Sequence, residues 1–213
     1  MHDLDAPATP ARLEAAAAVR RLVHAMAGHL GHDEQLAEVA RTANELADGL
    51  ERRPARVRPT DQLLRYPEPV AEGGDLSCWA DCMVAGVAHP SSTALRGHRE
   101  GDESVVTVTL GPAHEGLPGM AHGGIVASLF DEAMGFAGWM DVVPTVTAWL
   151  RIEYRAPVPI GRAVEVRARQ ASRDGRKIMM EGRATVDGVL VAEAEGLFIV
   201  PREHEAEQAH GDS

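Results

Sequence analysis

The sequence predicts an α+β domain in the C-terminal half, a five-stranded antiparallel sheet with one wet face and one apolar helix against the other. Three observations carry this. Four segments beyond residue 144 alternate apolar and polar residues, which a sheet with one solvated face requires. Asp174-Gly175 and Asp187-Gly188 fall between them, and Asp-Gly favours tight primed hairpin turns. One apolar stretch, 122–138, is long enough for a helix and opens on His122-Gly123-Gly124.

The elements follow in order. Residues 1–8 read as disordered. Thr9-Pro10 is a helix start, with a hydroxyl N-cap and proline at the first position. Leu13, Val19, Leu22, Val23, Met26 and Leu30 then keep helical spacing. Gly28 and Gly31 interrupt, and Asp33 is placed to cap a second helix with Leu36, Val39, Ala43, Leu46 and Leu50 on one stripe. Residues 1–53 are thus a helical extension, in which His24, His29 and His32 read as surface residues because the glycine break prevents a common face. Residues 54–103, rich in Pro, Gly and charge, read as a linker with a short helix expected over 79–87. The domain proper is 104–201, with strands over 104–110, 145–154, 163–171, 177–187 and 189–200. An acidic tail, 202–213, reads as disordered.

Charge and composition exclude several classes. The net charge of −11 over 213 residues argues against a general nucleic-acid binder and against an anionic membrane surface. No apolar run is long enough to span a bilayer and no secretory signal opens the chain, so a cytoplasmic protein is expected. Cys78 and Cys82 are too few for a disulfide framework or a zinc site and read as reduced thiols; no metal or cofactor is expected. From Arg151 to Lys177 eight basic residues face three acids, an excess that suits either a solvated strand face or an anionic ligand such as CoA phosphates.

The chemistry concentrates on the helix. At about 100° per residue, Ile125, Val126, Leu129, Phe130, Ala133, Met134 and Ala137 gather on one side. Gly124, Ala127, Asp131, Gly135 and Gly138 take the other, so Asp131 is a lone carboxylate on a stripe of minimal side chains. Such a stripe suits close approach of a backbone or ligand. First-turn N–H groups at Gly123 and Gly124 lack intrahelical acceptors and can stabilise an oxyanion. Between Gly123 and Glu203 there is neither His nor Cys, and no G-x-S-x-G, Walker or dinucleotide motif occurs. Carboxylate-driven hydrolysis remains.

The stretch from His114-Glu115-Gly116 through His122-Gly123-Gly124 to Asp131-Glu132-Ala133-Met134-Gly135 resembles the hot-dog-fold acyl-CoA thioesterases of the phenylacetate-pathway type. So do Tyr154-Arg155-Ala156-Pro157, Gly175-Arg176-Lys177 and the segment from Ala192 to Phe198. The resemblance covers about 104–200. It implies Asp131 as general base or nucleophile, the Gly123 amide polarising the thioester carbonyl, and Thr147 placing the attacking water, often from a neighbouring subunit. Thr147 is expected on the polar side of its strand. Substrate contacts are expected from His114, His122, Gly124, Arg155, Arg176 and Lys177, and pocket depth from Phe130, Met134, Trp139, Met140 and Trp149. Dimers form in this family by edge pairing of the strand after the helix, with dimers of dimers common. Many relatives carry Asn six residues before the histidine; here Gly116 stands there, with His114 or Glu115 as substitutes. The implied function is hydrolysis of an acyl-CoA-type thioester by a homodimer or homotetramer. The competing readings are a non-catalytic acyl-CoA-binding protein that signals through its N-terminal helices, and a hydratase or dehydratase, which the missing histidine disfavours.

Overall fold

The computed structural model describes residues 8–55, 69–77, 79–140 and 144–202. Of the ends expected to be disordered, 1–8 and 202–213, all but residues 8 and 202 lie outside the described residues, as does Cys78. The elements are α1 (Pro10–Gly28), α2 (Asp33–Glu51), β1 (Asp75–Leu76), β2 (Arg96–Glu100), β3 (Glu103–Thr109), α3 (Gly123–Trp139), β4 (Val146–Tyr154), β5 (Ala163–Asp174), β6 (Lys177–Val186) and β7 (Val189–Ile199). The sheet is antiparallel throughout, in the order β1-β2-β3-β5-β6-β7-β4. It wraps α3 in the hot-dog manner.

The five expected strands are present, and two more extend the β3 edge. Arg-Gly-His-Arg-Glu of β2 has no apolar alternation, so nothing in its composition marks a strand; its register with β3, Gly97 opposite Val106, makes it one. Gly97 is small because a Cβ there would come within 3.2 Å of the Phe136 ring. Residues 79–88 form successive turns rather than the expected helix. This segment, read as a linker, therefore covers the far side of α3, where Ala85, Leu95 and Leu76 join the core. For that reason Gly138, on the stripe side of the helix, is buried too.

The core lies between α3 and the sheet. Leu129, Phe130, Ala133 and Met134 are fully buried against Val106, Val164, Val166, Ile178, Met180 and Phe198. Phe130, Met134 and Met140 thus belong to the core rather than to a pocket. Ser104 ties helix to sheet: its buried hydroxyl donates to the Ala133 carbonyl at 2.6 Å. At the β6–β7 hairpin Asp187 and Gly188 both adopt positive φ (50° and 77°), as a type I′ turn demands.

The outer face explains the basic excess. Arg167 reaches Glu100, Glu103 and Glu165 at 2.9, 3.2 and 2.8 Å, and Arg183 grips Glu103 with two N–H groups at 2.6 and 3.0 Å. Arg169 pairs with Glu181, Arg151 with Glu195 and Glu153, and Arg162 with Asp187. The offsetting acids come largely from strands outside the basic segment, which is why a linear count shows surplus. Arg183 and Arg167 hold the Glu103 carboxyl below its ordinary range.

The N-terminal extension departs most from expectation. Thr9 caps α1, accepting from Arg12 N–H at 3.3 Å, but Asp33 is the first residue of α2 and His32 takes the cap position. Val19, Leu22, Val23, Met26, Leu30, Leu46 and Leu50 are exposed, and α2 buries no residue.

Two outcomes are expected. Phe130→Ala should lower the unfolding free energy by about 3–5 kcal/mol in denaturant titrations, because it empties the centre of the core. Glu103→Gln should cost on the order of 1 kcal/mol at neutral pH. A depressed folded-state pKa stabilises above the unfolded value, so the difference from wild type should close as pH falls below about 4.

Candidate active site

Asp131 stands half-buried on α3, and Thr147 Oγ1 donates to its Oδ1 at 2.6 Å within the same chain. A β-bulge makes this contact. Thr147 is opposite Phe198 and Trp149 opposite Leu197, leaving Ala148 as the extra residue. Cross-strand partners share a face. Phe198 is buried on the helix side, so Thr147 faces α3 together with Leu150 and Ile152. Strict alternation would have turned Thr147 to the polar side, as expected from sequence. Trp149, beyond the bulge and opposite Leu197, keeps to the outer face, away from any acyl pocket, while Trp139 packs half-buried against Trp79 at 5.9 Å.

The second cluster lies at the other end of β4. His122 caps α3, and its Nδ1 accepts from Gly124 N–H at 3.0 Å. Gly123 N–H has no acceptor among the described residues. Tyr154 O–H donates to the Gly123 carbonyl at 2.8 Å. Gly116, Leu117, Met120, Ala121, His122, Gly123, Val126 and residues 154–158 enclose a groove of about 600 Å³, apolar along most of its wall. A Cβ on Gly116 would come within 2.9 Å of the His122 Cα, so no side chain fits there without a shift. Neither expected substitute points into the groove: Glu115 accepts from Gly119 N–H, and His114 is buried edge-on against His24 at 4.9 Å.

The remaining expected residues divide between the two ends. Arg155 borders the groove and pairs with Glu153 and Glu193. Arg176 donates to the Val200 carbonyl at 3.1 Å, and Lys177 is exposed. Through the register Lys177–Ile199–Val146, both lie at the Asp131–Thr147 end.

Two features went unread in the sequence. Tyr154 stands in a motif that carries the resemblance but receives no role at the site from sequence; a tyrosine closing a strand beside a glycine-opened helix was the available signal. His24 is not a surface residue: its Nδ1 accepts from Ala113 N–H at 3.2 Å, while Arg20 donates to the Val87 and His89 carbonyls at 3.0 and 2.7 Å. Thus α1 braces the turn that begins the groove wall. Burial, and then the nearby His24, hold the His114 pKa below the ordinary histidine value. A histidine depressed in the folded state stabilises above the unfolded pKa, and this contribution is lost on acidification. The thermal midpoint should therefore fall as pH drops through about 6.5, and His114→Gln should flatten that fall.

Residues 118–192 match the model of the thioesterase superfamily. The acyl-coenzyme A thioesterase THEM4 of Xenopus laevis is 34% identical over 91 residues, 42% of this chain and 41% of that protein. THEM4 of Bos taurus is 35% identical over 91 residues, 42% of this chain and 37% of its own. The matched region thus spans about two fifths of these relatives. The crystal structure of a thioesterase superfamily protein, RHA08564, superposes with a TM-score of 0.76 at 28% identity, covering 91% of this chain and 92% of the other, so it extends across the N-terminal helices. Over residues 118–192 the chain is thus similar to the thioesterase superfamily, and its fold is the one seen in that solved structure.

Proposed function

We propose that this hot-dog domain hydrolyses an acyl-CoA-type thioester in a site shared by two copies. One observation carries the reading: the free Gly123 N–H and the Thr147-bonded Asp131 carboxylate lie eight residues apart on one helix, about 12 Å along its axis. A thioester carbonyl cannot touch both within one chain. An antiparallel two-fold pair can join them, because it sets the head of one element against the tail of its copy. The edge strand β4 suits such pairing: among the described strands it pairs with β7 alone, it is exposed along most of its length, and it carries exposed Val146, Trp149 and Tyr154.

In this arrangement the groove of one copy receives the pantetheine arm and presents Gly123 N–H to the carbonyl oxygen, which lowers the cost of the developing oxyanion. Asp131 of the other copy acts as general base or nucleophile. As base it takes a proton from water, whose oxygen adds to the carbonyl carbon, and collapse expels the thiolate. Thr147 holds one carboxylate oxygen and so orients the other. Arg155 at the groove, with Arg176 and Lys177 brought over from the other copy, are candidates for the CoA phosphates.

Asp131→Asn should reduce acyl-CoA turnover by about a thousandfold with the fold intact. Gly123→Pro should do likewise through the lost donor, since proline is at ease at the first helical position and His122 already has the extended backbone it requires (φ −64°, ψ 133°). Mixing the two inactive variants after dissociation should restore activity, because half the dimers are mixed and each mixed dimer keeps one intact site. No recovery would exclude the shared site. Saturable acyl-CoA binding by wild type without hydrolysis would exclude the enzyme.

A further inference from the structure

We propose that Tyr154 is a positioning residue for the Gly123 amide, an assignment that rests on the hydrolytic reading above. The peptide joining Gly123 to Gly124 is held from both sides. Its carbonyl oxygen accepts the Tyr154 hydroxyl at 2.8 Å, and its N–H donates to His122 Nδ1 at 3.0 Å. Of the donors that open a helix, the Gly124 N–H is therefore consumed, while the Gly123 N–H has no acceptor among the described residues. His122 thus leaves one donor of this turn without a partner, on a residue that lines the groove together with His122 and Tyr154.

Why such ties are needed follows from the residue. Glycine restricts its own backbone less than any other, so consecutive glycines at a helix start leave the direction of their amides loosely defined. His122 restrains the turn from within. Tyr154 restrains it from the sheet, its ring in van der Waals range of Gly123, where a Cβ would lie 3.4 Å from the hydroxyl oxygen. The hydroxyl is suited to permanent donation, since burial raises its pKa above the ordinary tyrosine value. Strand β4 consequently carries a tie at each end: Thr147 to the carboxylate, and Tyr154 to the turn that bears the oxyanion donor.

A merely structural tyrosine and a positioning one differ in what they move. For a positioning role, Tyr154→Phe should lower kcat about tenfold and leave KM for the acyl-CoA within about twofold and the thermal midpoint unchanged. A spectroscopic readout reports the donor itself. The carbonyl stretch of an isotope-labelled acyl-CoA held by Asp131→Asn should move to lower frequency on binding. Adding Tyr154→Phe at saturating ligand should remove much of that displacement. An unchanged kcat and carbonyl frequency would overturn the assignment, as would a rate loss that only follows a fall in thermal midpoint. If wild type hydrolyses acyl-CoA, Asp131→Asn does not, and Tyr154→Phe behaves as wild type, the role of Tyr154 alone falls. If wild type hydrolyses none of a panel of acyl-CoAs, the parent reading falls and takes this assignment with it.

Discussion

The burial of α3 governs the rest of the molecule. A seventeen-residue helix with Leu129, Phe130, Ala133, Met134 and Phe136 removed from water, and Gly138 buried on the opposite side, cannot turn or slide. At about 25 cal/mol per Å² of apolar surface these side chains outweigh any single polar contact in the domain. The Ser104–Ala133 bond then sets the helix along its own axis. Gly123, Gly124, Ala127 and Asp131 escape full burial, and there the polar chemistry sits.

That immobility gives the candidate site its division of labour. Donor and carboxylate are fixed relative to each other by the geometry of a helix, and β4 ties to both ends through Thr147 and Tyr154. A rigid frame of this kind holds reacting groups more closely than loops do. The loop that lines the groove is itself restrained. Gly116 N–H donates to the Met120 carbonyl, Ala121 N–H to that of Val158, and His24 of α1 takes the Ala113 N–H.

Much of this was legible in the residues. The alternation of β5 to β7 and the two Asp-Gly pairs marked the hairpins, although the β5–β6 loop is Gly175-Arg176 with Asp174 paired to Lys177, and the apolar spacing of 122–138 marked the helix and its buried side. Asp131 stood out because its neighbours on the stripe have almost no side chain. Other features depend on partners distant in the chain. β2 is a strand only because β3 lies beside it. The Arg–Glu lattice joins β2 and β3 to β5 and β6, so the local basic surplus suggested a ligand face where the acids of other strands already sit. The side on which Thr147 emerges could not be read either, since nothing in Thr-Ala-Trp announces an unpaired residue. In α1 and α2 the apolar periodicity was read correctly as helix but implied burial that the described chain does not supply.

The unpaired Ala148 has a consequence for how this strand can vary. Sheet positions differ in parity, and one supernumerary residue reverses the parity of everything on its N-terminal side. Chemical identity at 146–147 is thereby subordinate to chain length. Exchanging Ala148 for another small residue preserves the facing of its neighbours, whereas adding or removing a single residue there inverts them even if each neighbour keeps its identity. In this edge strand, an indel is the more drastic kind of change.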